Sequence, residues 1–185
     1  CDVRILFAIT IRLDLDGVQR HSARMSSIDR TSVAQAVERA LSSRPEPGYD
    51  EALGAVARAF GAVSATLHRA DRETKSLHMV AHLGLPPFLL KVTEQIPFGK
   101  GIAGLCAERR EAITVCNLQT DGSGRSKPDA KQTGVAGAIS VPVLGPDGAL
   151  VGTLGIGKPN EHTYSDEEQA ILNAFADQIG RCLSA

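Results

Sequence analysis

Apolar residues recur along this chain with two different periods, and the changes of period mark out its elements. From Ser32 to Ser42 they fall at Val33, Val37, Ala40 and Leu41. That spacing of i, i+4, i+7 and i+8 forms one stripe on a helix. Arg44-Pro45-Glu46-Pro47-Gly48 then breaks the helix, because proline lacks the backbone donor and clashes with the preceding turn. Asp50 is placed to cap a second helix with the stripe Leu53, Val56, Ala57 and Phe60. Val63 to Arg69 and Leu77 to Leu83 are short extended runs joined by the charged turn Asp71-Arg72-Glu73-Thr74-Lys75, which predicts an antiparallel hairpin. One register of this hairpin sets His68 directly opposite His78.

Pro86-Pro87 opens a short helix expected to run to about Gln95, and Gly99-Lys100-Gly101 opens another with Ile102, Leu105 and Cys106 on one face. Glu111 to Cys116 reads as a third strand. Asn117 to Gly134 reads as a long polar loop, of the kind that is usually functional or mobile. Ala138 to Leu144 and Leu150 to Gly157 form a second hairpin across Gly145-Pro146-Asp147-Gly148. Pro142 must sit at an edge or bulge of that ladder. In the last strand Leu150, Gly152, Leu154 and Ile156 are expected on one face and Val151, Thr153, Gly155 and Gly157 on the other. Glycine and threonine on one face leave room either for a ligand or for a closely packed helix. Ser165, with Glu168 three residues on, predicts a capping box. The helix after it carries the stripe Ile171, Leu172, Phe175, Ile179, Cys182 and Leu183. The fold class is therefore α/β, of the α+β kind: an antiparallel sheet with the terminal helices on one face and short helices and a loop on the other.

Composition narrows the function. The chain has 185 residues, 43% of them apolar, enough for one compact domain and an extension. Twenty basic residues balance 21 acidic ones, with no basic stripe, and aromatics make up 4%, with no Trp. Neither the electrostatic footprint nor the stacking platform of a nucleic-acid binder is present. No apolar run approaches membrane-spanning length. Cys1, Cys106, Cys116 and Cys182 form no C-x-x-C pair and are too sparse for a disulfide scaffold, so a reducing cytoplasm is expected. Residues 1–24 are read as an extension outside the domain, a strand, a disordered stretch or a non-native segment, and residues 25–48 as an N-terminal helix and linker. Residues 49–185 are the domain itself.

The order of elements, with Ile96-Pro97-Phe98-Gly99-Lys100-Gly101-Ile102-Ala103-Gly104, Val141-Pro142-Val143 and Leu150-Val151-Gly152-Thr153-Leu154-Gly155-Ile156, resembles a GAF domain. The resemblance implies a sheet of five or six strands with a ligand pocket between the sheet and its covering segments. Members bind cyclic nucleotides, tetrapyrroles, amino acids, oxoacids or metals, and often dimerise through terminal helices. Carried over, the ligand-binding residues are Phe98, Ile102, Cys106, Cys116, Asn117, Ser140 and Thr153. Gly157-Lys158 with Tyr164, Asp166 and Glu167 resembles the Asn-Lys…Phe…Asp-Glu pattern of cyclic-nucleotide-binding members, but with Gly for Asn, Tyr for Phe and a shorter spacing. Lys158 and Asp166 are expected to form a structural latch in either case. The free methionine-(R)-sulfoxide reductases are catalytic members of the family. Their Gly-x-Cys-Gly segment is Gly101-Ile102-Ala103-Gly104 here, with Ala103 in place of a catalytic cysteine, and the cysteine of their long loop has no counterpart between Asn117 and Gly134.

Other motifs weigh less. Gly99-Lys100-Gly101-Ile102-Ala103-Gly104 matches G-x-G-x-x-G, but neither the buried strand before it nor the acidic residue after the next strand is present, so a turn that starts a helix is preferred. Cys106 lies on an apolar stripe, where a free thiol behaves as a small hydrophobe. His68, His78 and His82 lack a further ligand that would make a metal site, so no metal is expected. No catalytic set can be assembled from the motifs. The expected function is a non-catalytic sensory domain that binds an unidentified small molecule and signals through a homodimer or a partner. No cofactor can be named. A redox enzyme or thiol sensor related to the sulfoxide reductases, and a ligand-free dimerisation module, are the alternatives.

Overall fold

The structure, a computed structural model, describes residues 29–43, 45–120, 122 and 134–184. The extension expected over 1–24 and most of the polar loop therefore lie outside the described residues. The helices are α1 (Arg30–Leu41), α2 (Tyr49–Phe60), α3 (Pro87–Thr93), α4 (Gly101–Arg109) and α5 (Asp166–Leu183). The strands are β1 (Ser64–Asp71), β2 (Ser76–Leu83), β3 (Gln95–Pro97), β4 (Ile113–Val115), β5 (Ala138–Leu144) and β6 (Leu150–Gly157). They form one six-stranded antiparallel sheet in the order β3-β2-β1-β6-β5-β4. This is the α+β architecture expected from the sequence.

The terminal helices cover one face. Leu53, Val56 and Phe60 of α2 and Leu172, Phe175 and Ile179 of α5 pack onto Leu67, Val141, Leu154 and Ile156 of the sheet. Ser165 and Glu168 complete the expected capping box at the start of α5. α2 ends where Gly61 takes the left-handed conformation at φ 61°, as a helix C-terminus favours. α1 lies on α2 and α5 of its own chain. Val37 is fully buried there, and Gln178 Nε2 donates to the Ala34 carbonyl at 3.0 Å. The stripe expected to meet a second copy is thus covered within the chain.

Several boundaries differ from the sequence expectation. α3 stops at Thr93, and Gln95–Pro97 is an edge strand on β2 rather than the end of a helix. An edge is where a strand tolerates proline. β4 is confined to Ile113–Val115 and pairs only with Ala138 to Ser140. Pro142 consequently lies where β5 has lost its outer neighbour. In the first hairpin Val80 is an extra residue, so His68 pairs with Met79 and His78 with Arg69; the two histidines are not opposite one another. In the second hairpin Val151 is the extra residue between the Gly152–Val143 and Leu150–Leu144 pairs. This bulge turns Leu150 toward Leu77, Ile96 and Ala107 on the opposite face, while Val151 packs with the terminal helices. The simple alternation therefore holds only from Gly152 onward, because one inserted residue inverts every side chain before it.

Candidate functional site

The sheet face away from the terminal helices carries a cavity of about 180 Å³. Its floor is Ser64 and Thr66 of β1, Ser140 of β5, and Gly155 and Gly157 of β6. The roof is Leu85, Pro86 and Leu89 at the start of α3, with Ile102 and Ala103 of α4. β6 keeps this space open through what it lacks. A Cβ on Gly155 would come 2.8 Å from Thr66 Oγ1, and one on Gly157 would come 2.6 Å from Ser64 Oγ. Gly152 faces the other way: an added Cβ would meet the His68 carbonyl oxygen of β1 at 2.1 Å and Leu183 Cδ2 of α5 at 2.9 Å.

Among the described residues, no charged side chain lines the cavity. Ser140 is 2% exposed, and its Oγ has no hydrogen-bond partner. Beside it on the same face, Thr153 is fully buried with an unpartnered Oγ1. Thr153 pairs across the ladder with His68, a buried ring whose Nε2 lies 2.9 Å from the Thr93 carbonyl. Burial lowers the His68 pKa, the Thr93 carbonyl working against that shift and His78 with it. The ring is therefore held toward its neutral form, with Nε2 donating and an unpartnered Nδ1.

The residues singled out from sequence fall in three places. Ile102 and Ser140 are at the cavity wall. Thr153 and Cys106 are buried next to it. Desolvation pushes the Cys106 thiol up to about 12, although the neighbouring Ser140 hydroxyl opposes the rise; the two do not meet in hydrogen-bond geometry. Phe98, Cys116 and Asn117 are not at the cavity. Phe98 lines a separate surface groove with Arg72, Lys75 and Arg110. Cys116 is exposed, with Sγ 3.5 Å from Thr163 Oγ1, and Asn117 bonds Glu161. Ser64, Thr66 and Leu89 were missed. The first two alternate with the apolar Ala65 and Leu67 and so read as solvent-facing.

The latch also has a different acid. Asp166 is exposed, and the Lys158 ammonium lies 3.4 Å from Glu168 Oε1 instead. His162 Nε2 joins them, 2.8 Å from Glu168 Oε1 and 3.2 Å from Lys158 Nζ. Glu168 already folds back to cap Ser165, which aims its carboxylate at the end of β6, two residues beyond the position expected. In the G-x-G-x-x-G stretch, Gly99 and Gly101 have φ of 77° and 64°, and a Cβ on Gly104 would lie 2.4 Å from the Pro97 carbonyl. These glycines shape a turn and a close packing contact. Among the described residues, no group of three His, Cys, Asp or Glu side chains could hold a metal, and no helix is long and apolar enough to cross a membrane.

No curated protein matches the chain by sequence. Solved structures match its fold. The GAF domain of a phosphoenolpyruvate-protein phosphotransferase from Coxiella burnetii superposes with a TM-score of 0.71 at 19% identity, over 84% of this chain and 93% of that one. The corresponding Acinetobacter domain gives 0.69 at 16% identity, over 84% and 92%. A free methionine-R-sulfoxide reductase from Neisseria meningitidis, solved with its substrate, gives 0.68 at 16% identity, over 84% and 88%. The fold is thus shared by members that differ in whether they catalyse a reaction. The family profile of the GAF domain matches residues 49–184, and the chain belongs to that family of sensory and regulatory domains.

Proposed function

We propose that this GAF domain binds a small molecule in the cavity over β1, β5 and β6 and works as a sensor without a catalytic cycle. The observation that carries this reading is the cavity itself, left open by Gly155 and Gly157 in a strand where any side chain would close it. A concave, mostly apolar space with a few converging polar groups is the usual form of a ligand site. A ligand-free dimerisation module has no need of such a space. The ligand residues in this reading are Ile102 and Ser140, with Thr66, Leu89 and Gly155. Output passes through a second copy of the chain or a partner protein, and the covered α1 stripe moves the expected seam to the outer faces of the terminal helices.

Native mass spectrometry of the gently purified protein tests the reading. A retained small-molecule mass is expected in the wild type and is expected to vanish in Gly155→Val, whose side chain points into the cavity. Thr66 Oγ1, the nearest atom to the new Cβ, is on a side chain and can rotate away, so Gly155→Val should still fold. No adduct in the wild type, or an equal adduct in the variant, would remove the basis for the proposal.

The reductase reading has less support. The thiolate is the reactive form of cysteine, and Cys106 is a buried thiol with its pKa pushed up to about 12. Ala103, where those enzymes carry a cysteine, is at the cavity roof. Free methionine-(R)-sulfoxide is therefore expected to show no turnover with thioredoxin or dithiothreitol. Turnover that disappears in both Cys106→Ser and Cys116→Ser would overturn this.

A further inference from the structure

We infer that the cavity selects an uncharged, largely apolar molecule of about ten non-hydrogen atoms, with a single hydroxyl or amide-like end that bonds to Ser140 Oγ. This rests on the ligand-binding reading above and names the chemical class of its ligand.

Size comes first. A dry cavity of roughly 150 Å³ accepts benzene, so a space of about 180 Å³ takes a ring with one or two substituents. Charge comes next. Among the described residues, the lining offers serine, threonine, glycine and hydrocarbon, with no Lys, Arg, His, Asp or Glu. From these residues an ionised ligand would gain no counter-charge for the hydration it gives up, which costs far more than the burial of its carbon returns.

Orientation follows from Ser140. Ser140 is 2% exposed and is one of the residues lining the cavity, and its buried hydroxyl has no hydrogen-bond partner. A buried hydroxyl left unpaired costs about 1–3 kcal/mol, so such a group calls for an explanation. The Cys106 thiol beside it is only a weak donor. The hydroxyl both gives and accepts, which suits a ligand hydroxyl or amide and leaves a hydrocarbon ligand with the cost unrelieved. On the roof, Leu85, Leu89 and Ile102 offer only carbon. A ligand therefore lies with its apolar body under α3 and α4 and its polar end on β5. Thr153 Oγ1 and His68 Nδ1, also unpartnered and buried, continue this polar strip along the same sheet face.

Three probes of similar size separate these features: toluene, phenol and benzoate. Each is titrated into the wild type, Ser140→Ala and Gly155→Val while the amide signals of residues 66, 140 and 157 are followed by NMR. Phenol is expected to bind about fivefold more tightly than toluene, the difference one newly satisfied hydrogen bond makes, and benzoate is expected not to bind. In Ser140→Ala phenol should weaken to within about twofold of toluene, while toluene is unchanged. Gly155→Val should bind none of them. Toluene equalling phenol in the wild type, or phenol keeping its advantage in Ser140→Ala, would overturn the polar contact and leave the cavity reading standing. Benzoate binding most tightly would overturn the uncharged class. None of the three binding to the wild type at millimolar concentration would overturn this inference and the cavity reading together.

Discussion

Gly180→Val should destabilise the domain by about 3 kcal/mol or more, although the substitution replaces a glycine within a helix. In an ordinary helix interior, replacing glycine gains a few tenths of a kcal/mol or more from backbone propensity. Here the surroundings reverse the sign. A Cβ at Gly180 would stand 2.0 Å from the Leu144 carbonyl oxygen and 2.9 Å from its carbon. Both are backbone atoms of β5, so no rotamer change relieves the clash. α5 would have to lift away from the sheet, pulling Phe175, Ile179 and Leu183 out of the main core. Overpacking alone typically costs 1–3 kcal/mol, and the lost burial of such side chains adds about 1.5–3 kcal/mol each. Urea denaturation of the wild type, Gly180→Ala and Gly180→Val would measure it. The two variants should fall in that order, and a Gly180→Ala protein as stable as the wild type would show that α5 does not approach β5 this closely.

That contact illustrates what could be read from the residues alone. Long elements with a sustained period were legible: the stripes of α1, α2 and α5 and the two hairpins lie where the apolar spacing put them. Short or irregular elements were not. Gln95–Pro97 is too brief to show a period, and Pro97 argues against a strand unless the strand is known to lie at an edge. The bulges at Val80 and Val151 were invisible because an extra β-branched residue looks like any other strand residue; only pairing with a neighbour exposes it. The site divides along the same line. Gly155 stood out because small residues on one strand face leave space, and the cavity lies against it. Ile102, Ser140, Phe98, Cys116 and Asn117 were all placed by likeness to a family pattern; the first two line the cavity and the other three lie away from it. Glu168 was recognised as a cap but not as the partner of Lys158, since its backward reach toward Ser165 is a property of the folded turn.

Replacing Glu168 should reveal how much the junction of β6 and α5 depends on one carboxylate. Glu168→Ala is expected to lose about 3 kcal/mol, in the range for removing one member of a buried pair. Three effects act together. The capping box loses the group that accepts from the Ser165 amide at 2.9 Å, worth about 1 kcal/mol. His162 loses its partner at 2.8 Å. Lys158, whose side chain is 14% exposed, is left without its acid. Glu168→Gln keeps much of the shape and should lose less. Acidity separates charge from shape. Burial tends to raise the Glu168 pKa, but the Ser165 amide, the His162 hydrogen bond and charge, and the Lys158 charge together bring it below its ordinary 4.5. A group lowered in the folded state contributes stability in full above the unfolded value and loses it as pH falls toward and through the folded value. The Glu168 contribution should therefore fade below about pH 4.5. His68 acts earlier. Burial lowers its pKa from 6.5, so the unfolded chain takes up that proton first and stability begins to fall below about pH 6.5. Melting temperatures of the wild type, Glu168→Gln and His68→Leu across pH 3 to 8, an interval of about 5 units around these ordinary values, should separate the two. The difference between wild type and Glu168→Gln should shrink only in the lower range, and His68→Leu should flatten only the upper one. A Glu168→Gln deficit that persists unchanged into strong acid would show that shape, and not the ion pair with Lys158 and His162, is what Glu168 contributes at this junction.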